Sequence, residues 1–383
     1  MKRRLFLKKS AAVGVGTLVT GACSQSPADP NSRSEKSAIN TTQTQRSIEL
    51  KMVTAWAKNF PGLGTRAVEF ADDINKATNG RIKIRVYAAE EMVPAFQAFD
   101  AVSQGNADIY HGADYFWQGK HPMFNFFGAV PFGLTATEMT QWIQFGGGQE
   151  LWDELSARFN IKPMLCCATG IQMGGWFNKE INSVEDFQGL KMRIPALGGE
   201  ILKRLGATPV TLPGGEIFLS LSQGNIDATE WIGPWNDLAF GFQQIAKYYY
   251  TSAYHEPNTS VCAGWNLDIW NSLSASERVI IEALAEKHYA RSLAEFNARN
   301  AGALRTLIKE HGVETRQFSA EVMNALADIA GDVVADIGKT DEISIRIYNS
   351  YMATLAVAKE WSGIADEPYM VARRLSDKFG QAL

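Results

Sequence analysis

Twice along this chain, short apolar runs of strand character alternate with stretches of helical period, and that alternation constrains the fold more than any other feature. Residues 49 to 56 (ELKMVTAW) alternate and then run apolar, a helical pattern covers about Gly64 to Ala77, and IKIRVYA at 82 to 88 reads as the next strand. The pair Asn79-Gly80 is the turn between them. A helix from about Val93 to Gln104 and a strand at 107 to 112 (ADIYHG) continue the series. The pattern restarts near IKPMLCCAT at 161 to 169. It passes through GGWFNK, LKMRIP ending at Pro195, a short helix at 197 to 206, ATPVTL, a helix opening after Gly214-Gly215, and IDATEW. Strands alternating with helices predict parallel sheets with covering helices. The chain is then expected to return to the first unit through SVCAGWNLDIW at 260 to 270, and such crossings make a hinge. From Ala275 onward the pattern reads as helical, with a last stretch over roughly Glu342 to Lys378.

At 383 residues and 46% hydrophobic content, the chain can bury more than one core. Its first 23 residues carry Lys2, Arg3, Arg4, Lys8 and Lys9 and no acid, so their removal takes the formal charge from −4 to about −9. No dense basic run survives beyond them, which excludes nucleic acid as a partner. RRLFLKK from Arg3 followed by an uncharged Ala11 to Ala22 matches a twin-arginine export signal, too short and Gly-rich to span a bilayer. Cys23, after Thr20-Gly21-Ala22, resembles a lipoprotein cleavage site, with ordinary cleavage near Ala28 as the alternative. Residues 24 to 48 are polar, cannot offset their own ordering entropy and read as a flexible tether of up to about 80 Å. Cys166, Cys167 and Cys262 are expected as buried free thiols, not a disulfide framework.

The chemistry concentrates between Gln172 and Glu256, in QMGGWF at 172 to 177, GLKMRIP at 189 to 195 and IDATEWIGP at 226 to 234. Arg193 lies where a strand gives way to a loop, the place where open α/β sheets hold ligands. Its planar fork matches a carboxylate bidentately, although a lone arginine is more commonly a structural ion pair. Glu230 follows an apolar strand beside Trp231, and Glu256 follows the aromatic segment KYYYTSAYH. Taken alone, each carboxylate reads equally as a cap or a surface charge. Phe96 and the cluster Tyr115-Phe116-Trp117 are candidates for the opposite wall, with core packing as the alternative. No P-loop, HExxH, CxxC, GxSxG or dinucleotide fingerprint occurs.

These three segments, and the chain from about residue 49 onward, closely resemble the solute-binding proteins of tripartite ATP-independent periplasmic (TRAP) transporters. Within that family the resemblance is to the branch that binds 2-oxo acids and related monocarboxylates with a metal ion. It implies an α/β, two-lobed periplasmic binding protein fold with a ligand cleft at the hinge and additional C-terminal helices. Lobe 1 would span 49 to 170, completed by about 258 to 310; lobe 2 would span 171 to 257; and 311 to 383 would form C-terminal helices. It implies substrate contacts at Gln172, Arg193, Trp231, Phe96 and Phe116, with Arg193 on the carboxylate. It also implies cation ligands at Gln172, Glu230, the Trp231 backbone carbonyl and Glu256, an oxygen-only set suited to Na⁺ or Ca²⁺ bound with the substrate. Two carboxylates and a substrate anion against one guanidinium need such a cation.

Two positions depart from the related pattern: His255 stands where an aromatic is expected, and Phe116 where Tyr is commoner. The implied partners are a small carboxylate and the small and large permease subunits in the membrane, with a homodimer through C-terminal helices as an alternative to a monomer. Readings from other classes are a secreted metal-dependent lyase, a dicarboxylate-binding protein and a sensor's input protein.

Overall fold

The computed structural model describes residues 46–251 and 253–375. The export signal at 1 to 23, Cys23 and the expected tether up to residue 45 lie outside the described residues.

Strands β1 (Ile48–Thr54), β2 (Ile82–Tyr87), β3 (Ile109–Ala113), β4 (Ile161–Lys162) and β5 (Leu165–Ala168) open a first sheet. A second is built from β6 (Gly175–Phe177), β7 (Lys191–Arg193), β8 (Thr208–Val210), β9 (Ala228–Thr229) and β10 (Tyr248–Thr251). The chain then returns to the first sheet with β11 (Ser260–Asn266) and to the second with β12 (Glu314–Gln317). The sheet orders are β2-β1-β3-β11-β4, with β5 also on β11, and β12-β10-β6-β9-β7-β8.

The sheets are mixed, where the alternation of elements predicts parallel ones. β1 pairs in parallel with β2 and β3, and β7 with β8 and β9, but β11 runs antiparallel to β3, β4 and β5. The cause is the crossing itself. The chain leaves the first sheet after Ala168 and re-enters at Ser260, its register partner, so the returning strand must run backwards along the departing one.

The helix Gly64–Ala77 buries Ala67, Phe70, Ala71 and Ile74, one apolar face at spacings of three and four. It ends at Asn79 and Gly80, both in the left-handed region, with the Gly80 N–H bonded to the Asn75 carbonyl. The expected helix from Val93 is a 3₁₀ turn, Ala95–Gln97, running into Ala98–Ser103.

The helix Ala275–Lys309 starts at a Ser274/Glu277 capping box and packs on β5 and on the helices Gly64–Ala77 and Pro234–Phe240, and its Ser292 hydroxyl oxygen accepts from the Ala168 N–H at 2.7 Å. It carries the chain from the first sheet to β12, a third crossing. The purely helical reading beyond Ala275 misses β12, because ETRQ has no apolar run. That strand is an edge held parallel to β10 and flanked by the ion pairs Arg316–Glu180 and Lys247–Glu314. Cys166, Cys167 and Cys262 are buried free thiols, and burial raises the pKa of each.

Asp114 opens the turn Asp114–Trp117 at the end of β3 and is fully buried. It accepts from Trp152 Nε1 at 2.8 Å and Tyr110 Oη at 2.9 Å, yet desolvation outweighs these bonds and pushes its pKa from 3.8 up to about 7. Between those values the folded protein holds a proton that the unfolded chain releases, so this group's stabilisation is lost as pH rises through about 7. The unfolding free energy of the wild type minus that of D114N is expected to shrink from about pH 4.5 to pH 8 in urea titrations. A difference independent of pH would show that Asp114 does not titrate there.

Candidate functional site

The parallel pairing of β7 with β9 sets one half of the site. Arg193 ends β7 opposite Thr229, so the residue after β9, Glu230, emerges beside it at the same carboxyl-terminal edge. The Glu230 N–H closes the pair on the Arg193 carbonyl at 3.2 Å. Both side chains are 1% exposed.

Arg193 Nε donates to the Leu212 carbonyl at 3.1 Å, and Nη1 to the Glu230 carbonyl at 3.1 Å and to the Glu230 carboxylate. The Trp231 ring lies 5.0 Å from the guanidinium carbon, a cation–π contact. Nη2 has no acceptor among the described residues, and Arg193 lines a cavity. The other Glu230 oxygen lies 3.3 Å from His255 Nε2. Since a carboxylate only accepts, the ring proton is placed on Nε2. The histidine that departs from the expected aromatic therefore keeps a ring against Tyr254, centroids 5.1 Å apart, and adds a donor to Glu230.

The crossings between sheets make the other half. Residues 169 to 172, leaving the first sheet, lie against 253 to 259, returning to it. The Thr169 N–H bonds the Thr259 carbonyl at 3.2 Å, the Gln172 N–H bonds the Glu256 carbonyl at 3.3 Å, and the Gly170 N–H bonds Asn258 Oδ1 at 3.1 Å. On this cross-tied backbone, Gln172 Nε2 donates to Glu256 Oε2 at 2.8 Å and Thr259 Oγ1 at 2.6 Å, and Thr259 Oγ1 donates to the same carboxylate. Burial, and then the Glu230 charge, raise the pKa of Glu256 to about 7. Two carboxylates thus share a water-poor site in which one guanidinium is the paired cation.

A narrow cavity of about 10 Å³ lies beside these groups, lined by Trp56, Tyr115, Phe116, Thr169, Arg193 and Trp231 among others. Trp56 meets Trp231 edge-on at 6.3 Å, so the walls come from both sheets. A neighbouring cavity of about 240 Å³ shares Trp56 and Trp231 and continues along Phe60 and Phe240 to Glu90 and Glu216.

Of the residues singled out in the sequence, Gln172, Arg193, Glu230, Trp231, Glu256 and Phe116 converge here. Phe96 does not line the cavity; it sits on the 3₁₀ turn behind Phe116, centroids 5.0 Å apart. Trp117 is core, packed on Phe99 and Tyr110. Tyr115 lines the cavity and carries the phenol that Phe116 lacks. Thr169 and Thr259 went unmarked in the sequence, where an isolated threonine carries no signal of a polar cluster.

Among the described residues no three His, Cys, Asp or Glu side chains gather as a metal cluster. A cation here would need mixed oxygen donors, and the structure offers them. Gln172 Oε1 is buried without a partner while its amide nitrogen faces Glu256. The Trp231 carbonyl accepts no hydrogen bond among the described residues. Together with Glu230 and Glu256 these oxygens fit a hard cation such as Na⁺ or Ca²⁺.

Residues 52–341 match the profile of DctP, bacterial extracellular solute-binding protein, family 7. The chain is 35% identical over 372 residues to a monocarboxylate 2-oxoacid-binding periplasmic protein of Nostoc sp., an alignment covering 96% of this chain and 98% of that one. Among solved structures, a TRAP periplasmic solute-binding protein of Pseudoalteromonas atlantica with bound sodium and pyruvate superposes with a TM-score of 0.82 at 35% identity, covering 85% of this chain and 99% of its own. The corresponding protein of Colwellia psychrerythraea, with bound calcium and pyruvate, gives 0.83 at 34% identity, covering 85% and 100%.

Proposed function

This chain belongs to family 7 of the bacterial extracellular solute-binding proteins, the DctP receptors, and from that premise we propose that it captures a small 2-oxo or 2-hydroxy monocarboxylate together with Na⁺ or Ca²⁺. The family consists of periplasmic transport receptors and not enzymes, so the lyase reading falls away. The observation that carries the reading is the convergence of a buried guanidinium with a free Nη2, two buried carboxylates and two unpartnered carbonyl oxygens at the crossing between sheets.

In this reading Arg193 binds and orients the substrate carboxylate through Nη2. Gln172 Oε1, Glu230, the Trp231 carbonyl and Glu256 hold the cation. When bound, the cation supplies the positive charge that draws the carboxylate and the adjacent 2-oxo or 2-hydroxy oxygen into one chelate. Trp231 Nε1, buried without a partner, is a further donor at this wall. Tyr115, Phe116 and Trp56 close the site from the first sheet, so a ligand touching both walls favours the closed state by its differential contacts.

The size and the rim chemistry set the substrate range. The room left beside Arg193 is about 10 Å³ and the neighbouring cavity about 240 Å³, both below the range of roughly 300–1,000 Å³ common for drug-sized ligands. The neighbouring cavity is aromatic where it joins and acidic at Glu90 and Glu216, so it accepts an alkyl tail and repels a second carboxylate. Pyruvate and its short alkyl homologues fit this pattern better than succinate. The loaded receptor delivers its cargo to the small and large permease subunits in the membrane.

Calorimetry on the exported chain, freed of co-purified ligand by unfolding and refolding, is expected to show micromolar or tighter binding of pyruvate or 2-oxobutyrate. That binding should depend on added Ca²⁺ or Na⁺, and succinate should bind more weakly. R193A is expected to weaken it about 100-fold with the fold intact, the loss of two charge-assisted hydrogen bonds. Wild-type affinity in a folded R193A would remove the carboxylate role.

Dimerisation through the C-terminal helices is supported by an exposed apolar series on Glu342–Ile364 and beyond, Trp361, Ile364, Val371 and Leu375. Light scattering is expected to give twice the monomer mass for the wild type and the monomer mass for W361E. A monomeric wild type at all concentrations would end that reading. Export by a twin-arginine signal with lipidation at Cys23 is supported by RRLFLKK and Thr20-Gly21-Ala22-Cys23. The N-terminal peptide of membrane-extracted protein should then carry the mass of a diacylglyceryl cysteine, and an unmodified terminus near residue 29 would refute it.

A further inference from the structure

We infer that Asp237 is a positioning residue whose carboxylate presets the Trp231–Ile232 peptide so that the Trp231 carbonyl oxygen is available to the cation. This rests on the reading above that the carbonyl is one of the cation's ligands.

Asp237 lies in the first turn of the helix Pro234–Phe240 and is 1% exposed. Its two oxygens divide their work. Oδ2 accepts from Tyr249 Oη at 2.6 Å and Trp176 Nε1 at 2.9 Å. Those residues are register partners on β10 and β6, with rings stacked at 4.0 Å, so this oxygen is anchored to the rigid second sheet. Oδ1 accepts from the Ile232 N–H at 3.3 Å and the Gly233 N–H at 3.2 Å, and so reaches the loop that follows Glu230.

A trans peptide is planar and carries its N–H and C=O on opposite edges. Fixing the Ile232 N–H on Asp237 therefore turns the Trp231 carbonyl to the other side of the plane, where no donor among the described residues meets it. The following peptide is held on both edges, its N–H by Asp237 and its carbonyl by the Met173 N–H at 3.0 Å. Met173 follows Gln172, so the same arrangement ties the carbonyl-bearing loop to the crossing segment that carries another proposed ligand. A carbonyl left without a donor beside a residue that is 7% exposed is an acceptor waiting for a partner.

The carboxylate is required because all four groups around it are donors. An asparagine offers a single acceptor oxygen and places an NH₂ against two donors. In D237N the stronger Tyr249 and Trp176 donors are expected to keep that oxygen, which frees the Ile232 and Gly233 N–H groups and lets the peptide plane rotate.

The test uses Tb³⁺ as the probe on the full exported chain without added carboxylate, with emission sensitised by nearby tryptophan and the number of bound waters taken from lifetimes in H₂O and D₂O. The wild type is expected to bind Tb³⁺ displaceably by Ca²⁺, and E230Q to lose most of that binding. D237N is expected to bind about ten- to a hundredfold more weakly, with one additional water replacing the lost carbonyl. Y249F removes a donor from the sheet side only; it is expected to lower the melting temperature while leaving affinity and water number unchanged, which a merely structural role for Asp237 would not separate.

A wild type that binds no Tb³⁺ would sink the cation reading itself. Normal binding in the wild type, loss in E230Q and wild-type affinity and water number in D237N would overturn the role of Asp237 alone. A readout that needs no variant is amide exchange in the ligand-free wild type: Ile232 and Gly233 should exchange slowly, and fast exchange of either would also overturn the proposal.

Discussion

Two carboxylates and a guanidinium buried together where the chain crosses between sheets set the electrostatic constraint on which the site depends. Glu230, Glu256 and Arg193 are each no more than 3% exposed, and unpaired charge at such depth costs several kcal/mol per ion. The surroundings answer that cost group by group. Glu230 is held by Arg193 and His255, while Glu256 is held by Gln172 and Thr259. One negative charge still exceeds the positive ones in this set, and desolvation raises the pKa of Glu256 in response. The cation proposed above would resolve the imbalance, which would make cation and anion uptake two halves of one electrostatic requirement.

These charges lie at the crossings between sheets, where two segments of the chain run side by side. The segments leaving and re-entering the first sheet are cross-tied by backbone bonds at Thr169 and Gln172, and Gln172 and Thr259 from these two segments present the side chains that hold Glu256. Aromatic contacts complete the join: Trp56 and Phe60 from the first sheet side meet Trp231 and Phe240 from the second. Those rings are stiff and apolar, so they can wall a small polar site without competing for its hydrogen bonds.

Much of this was legible in linear order. Arg193 and Glu230 each read as lying at the end of a short strand, and the parallel pairing of β7 with β9 then presents both at one edge. Phe96 misled because an aromatic beside a predicted pocket and an aromatic packed one layer behind it have the same local sequence. Thr169 and Thr259 were invisible for the opposite reason: their role depends on two crossings lying side by side, a contact between positions 90 residues apart. β12 escaped because edge strands held by ion pairs lack the apolar run that marks a buried strand.

The family resemblance implied the oxygen-only ligand set, and the sequence by itself determined the alternating α/β class, the return of the chain to its first sheet and the acidic character of the chain beyond residue 23. These are properties of periodicity, charge and residue type, which act locally and survive without knowledge of contacts. Only the tertiary structure decided that β11 runs antiparallel, that Tyr115 and not Phe96 reaches the cavity, that His255 supports Glu230, and that Asp237 fixes the loop bearing Trp231. Each of those depends on the angle at which distant segments meet, and hydrogen-bond geometry is set by that angle and not by the residues one at a time.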